Sequence, residues 1–239
     1  MSSPRPFLTA QWRDLIFLNY EVPATLLTPL VPAGTTLDVH NGRLFASIVG
    51  FRFLDTAIRG WPVPLHGAFE EVNLRFYVRR DVTPTDVRRA VVFIKELVPK
   101  VAVAAIARLA YNEPYRVVPM WHQIVREERN AHPTTVSYHW RLQRRDYAVE
   151  GRLGAPTTTP EAKFITEHYW GYTRQRDGAT LEYQVLHPAW AVEELMESHL
   201  GGDLGLVYGP AWAEILEAPP CSAFYANGSA ISVLPGQRL

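Results

Sequence analysis

Hydrophobic and polar residues alternate along much of the chain, and the clearest alternation runs from Phe69 to Val78. Successive side chains of a strand point to opposite faces, so this pattern predicts a strand with one mostly apolar face. The other face carries Glu71, Asn73 and Arg75 in a row. Antiparallel sheets commonly keep such a face in solvent. The alternative is that the polar row lines an internal cavity.

The next predicted strand, Ala90–Val98, is hydrophobic except for Lys95 and Glu96, which indicates a strand covered on both faces. Lys95 stands out because the chain has only three lysines among its 24 basic residues. Burial lowers the pKa of a lysine, and a neutral amine can attack a carbonyl to form a Schiff base. The alternative is that Lys95 reaches water at the strand end or pairs with Glu71.

Helices and hairpins are predicted from proline, glycine and asparagine positions. Helices are expected where proline opens a segment and glycine, asparagine or proline closes it. Hairpin turns are expected at Asn-Gly and Asp-Gly pairs, because these residues tolerate positive φ. The predicted helices are 23–31, 101–110, 188–200 and 210–217, and the predicted turns are 41–42, 177–178 and 227–228.

The segment Ala162–Arg174 contains His168 among aromatic residues and is interpreted as a strand with two different faces. His168, Trp170 and Tyr172 share one of these faces. A histidine in such surroundings can titrate near neutral pH and act as an acid or a base. The alternative is an aromatic core in which His168 is hydrogen-bonded to the backbone.

Two further features concern the edge of any cavity. Arg52 lies between Phe51 and Phe53, so its side chain points away from both rings, either outward or into a cavity. The proline-rich segment Trp61–His66 is expected to form an extended loop over a cavity mouth, where it would help select ligands.

Composition excludes several classes of function. The chain of 239 residues has 24 basic and 24 acidic side chains, so no charge excess favours nucleic acid or an anionic membrane. The single cysteine, Cys221, and the absence of a signal-like or membrane-spanning apolar stretch favour the cytoplasm. No nucleotide-binding or hydrolase motif occurs, and the eight histidines lack close ligand spacing. No cofactor and no metal are expected.

Several stretches together resemble a known family. They are PFLTAQWRDLIFLNYEV, HGAFEEVNLRFYVRR, VVFIKELVP, YNEPY and EHYWGYTR. The chain is identified by them as a member of the YqjF-like family of uncharacterised bacterial proteins, within the acetoacetate decarboxylase-like superfamily. The resemblance covers nearly the whole chain. It implies an α+β fold, with one domain over residues 1–239 built on a mainly antiparallel, cone-shaped β-barrel, a few flanking helices and an internal ligand cavity.

The resemblance also bears on catalysis. Decarboxylases of the superfamily carry a Pro-Lys-Lys element after the internal helix, and the corresponding residues here are Pro114, Tyr115 and Arg116. A phenol therefore replaces the Schiff-base amine, which argues against the usual enamine route. Glu71 resembles the strand glutamate of the superfamily, and Arg52 is the candidate for its substrate-binding arginine.

These observations lead to three hypotheses of function. The first is an enzyme of the decarboxylase, aldolase or dehydratase class, acting on a small keto acid or carbonyl compound. The second is a non-catalytic protein that binds an aromatic or lipid-like ligand, and the third is a structural protein whose polar row faces water. The oligomeric state stays open, a homo-oligomer included. Candidate catalytic residues are Glu71, Lys95 and His168, and candidate substrate-binding residues are Arg52, Arg75, Tyr115, Arg116, Trp170 and Tyr172.

Overall fold

A computed structural model describes residues 5–63, 67–128 and 131–239, so the Pro64–His66 part of the predicted rim loop lies outside the described residues. The fold is mostly strand, with a few short helices. The strands are β1 Leu8–Glu21, β2 Thr36–Leu37, β3 Phe45–Ile58, β4 Trp61–Pro62, β5 Phe69–Thr83, β6 Asp86–Val98, β7 Tyr115–Val117, β8 Met120–Arg126, β9 Pro133–Leu142, β10 Arg145–Thr157, β11 Trp170–Arg174, β12 Thr180–Leu186, β13 Val192–Gly201, β14 Ser222–Val233 and β15 Gln237–Arg238. The helices are α1 Ala24–Leu27 with a 3-10 turn Thr28–Leu30, α2 Val101–Tyr111, α3 Pro160–Thr166, α4 Leu204–Tyr208 and α5 Pro210–Leu216. No helix among these residues is long and apolar enough to cross a bilayer.

The strands pair in a closed circuit. From β12 the hydrogen-bonded order runs through β11, β6, β5, β3, β1 and β14, and β14 pairs again with β12. Most of these pairings are antiparallel, and β11 and β6 are parallel. Strands β13, β10, β9 and β8 continue the sheet outward from β14. The circuit encloses one face of every strand in it.

Both faces of the central strand β5 are buried, and its alternation explains why. Val72, Leu74 and Phe76 belong to a hydrophobic cluster shared with the outer strands and with α4 and α5. Phe69 and Tyr77 belong to a second cluster on the enclosed side. The predicted strand is therefore confirmed, together with its two distinct faces.

The helix predicted at 101–110 is confirmed as α2, and Asn112 ends it in the left-handed conformation with φ 57°. The helices predicted at 23–31 and 210–217 are also present. The helix predicted at 188–200 is wrong. This segment contains strand β13, which pairs with β10 from Val192 opposite Thr157 to Gly201 opposite Ala148. Long-range pairing overrides the local proline and glycine signals there.

The strand predicted at 162–174 is half wrong. Its first part is helix α3, in which Thr159 accepts a hydrogen bond from the Ala162 amide at 3.2 Å and Pro160 occupies the first turn. This N-cap and proline are a helix-start signal that the aromatic alternation obscured. Only Trp170–Arg174 forms a strand, and His168 lies in the connection between the two elements.

The three predicted turns have different outcomes. The turn at 177–178 joins β11 to β12 as expected. The turn at 41–42 is present and is closed by one antiparallel bridge between His40 and Arg43, but the ladder does not continue, because β2 pairs with β5 and β3 pairs with β1. Residues 227–228 lie inside the continuous strand β14. A Cβ at Gly228 would approach the Trp12 carbonyl oxygen to 2.1 Å, so glycine serves a close backbone approach here instead of a turn.

The residue opposite this glycine is Arg13, and directly after it β1 bulges against β3 at Asp14, which is buried and adopts a positive φ of 53°. The Asp14 carboxylate forms an ion pair with Arg52 and a second with Arg126 at 3.3 Å. It also accepts a hydrogen bond from the Tyr225 hydroxyl at 3.1 Å, and its backbone carbonyl accepts one from Tyr138 at 2.6 Å. The bulge is thus held by four side chains from other strands.

We expect Asp14→Ala to lower the free energy of unfolding by about 3 kcal/mol, because it leaves Arg52 without its buried counter-ion. Urea denaturation measures the change. Asp146→Ala is the matched control, since its partner Arg141 lies in an exposed pair, and it should unfold like the wild type. Equal urea midpoints for the two variants would contradict this role of Asp14.

Candidate functional site

The polar row of β5 lines an internal cavity of about 140 Å³. Glu71 is 2% exposed and Asn73 is 1% exposed, so the interpretation of this face as solvated is wrong. The reason is the closed circuit of strands, which turns this face inward. The rest of the cavity wall is largely apolar and aromatic, with contributions from Trp12, Phe51, Phe53, Phe93, Ile106, Trp170, Val185 and Trp190.

Three glutamates line this cavity, and strand register brings two of them together. Asn73 lies opposite Glu96 across the β5–β6 ladder, which puts Glu96 on the same face as Glu71. Tyr115 is the register partner of Glu96 in the parallel β6–β7 pair. Glu113 precedes Tyr115 by two residues and also lines the cavity. The three carboxyl groups thus come from β5, β6 and the turn after α2.

Glu71 is held by two hydrogen bonds. Its Oε1 accepts from Asn73 Nδ2 at 3.0 Å, and its Oε2 accepts from the Tyr115 hydroxyl at 3.0 Å. The hydroxyl of Tyr115, a candidate substrate-binding residue, therefore binds a carboxyl group of the site. Burial raises the pKa of Glu71 to about 7, although the two hydrogen bonds and the charge of Arg75 act in the opposite direction.

Glu113 has a separate pair of donors. Its Oε1 accepts from the Tyr183 hydroxyl at 2.7 Å and from Thr173 Oγ1 at 2.5 Å. Burial raises the pKa of Glu113 to about 7, the hydrogen bonds lower it, and the charge of Glu71 raises it again. Both glutamates can therefore change protonation state near neutral pH, as acid–base groups of active sites do.

Glu96 is the least satisfied of the three. It is 1% exposed, and its Oε2 has no hydrogen-bond partner among the described residues. Burial raises the pKa of Glu96 well above its usual range, the charges of Glu113 and Glu71 raise it further, and the nearby Tyr115 hydroxyl acts in the opposite direction. Asn73 Oδ1, across the ladder, is also buried without a partner. Two polar atoms at the same end of the cavity thus have unused hydrogen-bonding capacity.

Arg75 is the guanidinium that lines the described part of the cavity wall. Its Nη2 donates to the carbonyl oxygen of Ile165 at 3.2 Å. The central carbon of its guanidinium group, Cζ, lies 5.4 Å from the ring centre of Phe17 and 5.7 Å from that of Tyr77. Arg75 therefore supplies positive charge to the site while its position is fixed by the wall.

His168 also lines the cavity, and its environment keeps it neutral. Burial lowers the pKa of His168 to about 4, against the opposing influence of Asp38. Its Nε2 lies 3.6 Å from Asp38 Oδ2, too far for a hydrogen bond. Its ring packs against Tyr77 and Phe164. At neutral pH this imidazole is uncharged and a weak base.

The structure does not bring Lys95 to the cavity. Lys95 is paired with Leu74 in the ladder, so its side chain points to the opposite face from Glu96. Its Nζ donates to the carbonyl oxygen of Val207 in α4. Burial lowers the pKa of Lys95, and the charge of Arg116 lowers it further. In the described part of the chain, no lysine lines the cavity.

Three other candidate binding residues also lie elsewhere. Arg52 is engaged by Asp14, Tyr172 donates to Glu182 at 2.6 Å, and Arg116 is outside the described cavity wall. Trp170 and Tyr115 do line the cavity. Of the nine candidates from the sequence, Glu71, Arg75, Tyr115, His168 and Trp170 are brought together around the cavity.

Comparison with known proteins identifies the family of the chain. A family model described as an uncharacterised conserved protein, DUF2071, matches residues 9–230. The chain belongs to the DUF2071 family. The uncharacterised protein YqjF of Bacillus subtilis (strain 168) is 38% identical over 68 residues, which are 28% of this chain and 28% of YqjF. The family resemblance expected from the sequence is thereby confirmed.

Solved structures similar to this DUF2071 protein share its fold at low sequence identity. An acetoacetate decarboxylase-like enzyme from Sphingomonas wittichii RW1 has a TM-score of 0.69 and 11% identity, over 97% of this chain and 92% of that one. The enduracididine biosynthesis enzyme MppR complexed with pyruvate has a TM-score of 0.68 and 11% identity, over 100% of this chain and 91% of that one. Acetoacetate decarboxylase from Legionella pneumophila has a TM-score of 0.67 and 13% identity, over 100% of this chain and 88% of that one. The acetoacetate decarboxylase-like fold is therefore shown.

Sequence reasoning missed Glu96 and Glu113 as site residues of this DUF2071 protein. Glu96 carries a signal of its own, a second charge in the apolar strand that contains Lys95. Because successive side chains of a strand point to opposite faces, Lys95 and Glu96 must lie on different faces of the sheet. Glu113 lies in the Asn-Glu-Pro sequence that ends helix α2. No helix or strand periodicity extends over this turn, so the sequence does not predict which way the Glu113 side chain points.

The raised pKa of Glu71 predicts a pH-dependent stability. Between pH 4.5, the ordinary pKa of the unfolded side chain, and about 7, unfolding lets Glu71 ionise, so stability falls as pH rises. Glu71→Gln removes this penalty. Urea denaturation should show the variant gaining stability relative to wild type from pH 4.5 to 7.5, by roughly 1–3 kcal/mol.

Glu70→Gln is the control with the opposite sign. Burial acts to raise the pKa of Glu70, but the hydrogen bond to His122, a backbone hydrogen bond and the nearby charges of His122 and Lys100 together outweigh burial, so the pKa is lowered. Glu70 therefore stabilises the fold above its unfolded pKa, and its replacement should cost stability as pH rises. Parallel pH profiles for Glu71→Gln and wild type would contradict a buried, neutral Glu71.

Proposed function

We propose that this DUF2071 protein is an enzyme that binds a small carbonyl compound in the cavity and moves a proton at the carbon next to the carbonyl group, without a Schiff base. The observation that carries this proposal is Glu71. It is a buried carboxyl group with a pKa of about 7, bonded to Tyr115 and Asn73 and facing an aromatic cavity. A general base works best when its pKa lies near the operating pH.

The proposed step conserves atoms and electrons. The Glu71 carboxylate takes a proton from the carbon next to the carbonyl group, and the carbon–hydrogen electron pair moves to form an enolate. The carboxylic acid then returns the proton to carbon, or exchanges it with water first. Donors already present in the wall would stabilise the enolate oxygen, as preorganised donors do in a dry site.

Two further points support this reading. The absence of a lysine from the described cavity wall argues against an enamine route. MppR, which shares the fold, has been solved with pyruvate, a carbonyl compound.

We also propose that the closed circuit of strands is a cone-shaped barrel, that residues 1–239 form one domain around it, and that the protein works in the cytoplasm.

A second candidate function is binding without catalysis, and the cavity wall favours it. An apolar cavity of about 150 Å³ can hold benzene, and the cavity here has about 140 Å³ lined mainly by hydrocarbon and aromatic rings. Such a volume suits a single-ring ligand better than a lipid chain. In this case Glu71 would anchor the ligand and transfer no proton.

Exchange of hydrogen for deuterium on cyclohexanone separates the two functions. We expect the wild type to accelerate exchange at the carbons next to the carbonyl in D₂O, followed by proton NMR, with a rate that rises with pH up to about 7 as Glu71 ionises. Glu71→Gln should slow this exchange by about 100-fold or more. Glu70→Gln, which alters a neighbouring glutamate on the opposite face, should leave the rate unchanged.

Lys95→Met tests the absence of a Schiff base in the same assay. Exchange should persist in this variant because Lys95 lies outside the cavity. Loss of exchange in Lys95→Met, or equal rates for wild type and Glu71→Gln, would contradict the proposed enzyme. Binding of cyclohexanone without accelerated exchange would leave the binding protein as the better account.

A further inference from the structure

Two of the unpartnered polar atoms in the cavity wall lie on neighbouring strands and point to a ligand. Glu96 Oε2 and Asn73 Oδ1 are both buried without a hydrogen-bond partner among the described residues. The two residues are register partners on β6 and β5 and face the same way. Their Cβ atoms are therefore about 5 Å apart, so one small molecule can reach both side chains. Buried polar groups in native proteins rarely stay unpaired, so this end of the cavity is built for an occupant.

The neighbours of Glu96 determine whether its carboxyl group is more stable in the ionised or in the neutral state. Glu71 and Glu113 are further acids, and the hydroxyl of Tyr115 already donates to Glu71. Tyr183 faces the same cluster, but its hydroxyl donates to Glu113. An ionised Glu96 would thus be a buried anion beside two acids with no donor of its own at Oε2. A neutral Glu96 has one hydroxyl donor, and its acceptor is either Asn73 Oδ1 across the ladder or an oxygen atom of a ligand.

Arg75 offers a ligand only part of its guanidinium group. Its Nη2 donates to the Ile165 carbonyl and the group lies over two aromatic rings, whereas its Nε is buried without a hydrogen-bond partner among the described residues. A ligand carboxylate could accept from Nε, but not from both arms of the Nε–Nη2 fork, because Nη2 is bound to Ile165. A ligand amine would need ionised carboxylates, which burial disfavours here. Both charged classes fit this cavity poorly.

We propose that Glu96 acts as a neutral hydrogen-bond donor to the carbonyl oxygen of the ligand, and that the site therefore accepts uncharged carbonyl compounds, namely ketones, aldehydes or amides, instead of keto acids or amines. This inference rests on the proposed function and names its substrate class. When Glu71 removes a proton, the same donor stabilises the enolate oxygen, as a neutral acid does in ketosteroid isomerase. A hydroxyl or N–H on the ligand would donate to Asn73 Oδ1.

A set of probes with the same ring tests this assignment. Dissociation constants of cyclohexanone, cyclohexylamine and cyclohexanecarboxylate are measured by NMR titration near neutral pH. Cyclohexanone should bind the wild type at least about tenfold more tightly than either charged probe. Glu96→Gln keeps a neutral N–H donor and should bind cyclohexanone within about threefold of wild type. Glu96→Met has no donor and should bind it about tenfold more weakly.

The opposite patterns would overturn the inference. Tighter binding of cyclohexylamine than of cyclohexanone, lost in Glu96→Gln, would mean that Glu96 is an ionised counter-ion. Equal affinity of Glu96→Met and wild type for cyclohexanone would mean that Glu96 does not contact the ligand. Circular dichroism establishes that each variant is folded, and Glu96→Gln provides the isosteric comparison.

Deuterium exchange separates this inference from the proposed function. Exchange that depends on Glu71 but is as fast in Glu96→Met as in wild type would remove the role of Glu96 and leave the enzyme intact. No exchange in the wild type would remove the enzyme, while the affinities of the three probes would still decide whether Glu96 binds an uncharged carbonyl group.

Discussion

The burial of three carboxyl groups in a cavity whose described wall contains no lysine is the constraint on which the proposed chemistry of this protein depends. Moving an ionised carboxylate into a dry interior costs several kcal/mol unless a cation compensates it. Arg75 is the guanidinium in the described wall, and it is bound to backbone and rings. The carboxyl groups therefore hold protons to unusually high pH, with pKa values of about 7 for Glu71 and Glu113. A protonated carboxylic acid can donate a hydrogen bond, whereas a carboxylate can only accept one.

The fold supplies this arrangement through strand register. The ladder between β5 and β6 sets Asn73 opposite Glu96, and the short parallel pair between β6 and β7 sets Glu96 beside Tyr115. The left-handed Asn112 ends α2 and turns the chain so that Glu113 enters the same cavity. Closure of the circuit from β12 to β14 then excludes bulk water from that face. At this position Tyr115 donates a hydrogen bond to Glu71, and no lysine lines the described part of the cavity wall.

Local sequence patterns predicted the strands around the site well, because a period of two survives in both buried and exposed strands. They could not determine which face of β5 lies inside, since that depends on pairing between residues far apart in the chain. The neighbours Lys95 and Glu96 illustrate the limit. One of them had to face the cavity, and the β5–β6 register, with a bulge after Leu74, selected Glu96. The strand β13 was mistaken for a helix for the same reason, because its partner β10 lies about 45 residues away.

Infrared spectroscopy of protein labelled with ¹³C-glutamate tests the protonation of the cavity most directly. The difference spectrum between wild type and Glu96→Gln at neutral pH should contain the carbonyl band of one protonated carboxylic acid, and that band should persist well above the ordinary pKa of glutamate. A difference spectrum containing only carboxylate bands at that pH would show that Glu96 is ionised. The account of Glu96 as a neutral hydrogen-bond donor would then be wrong.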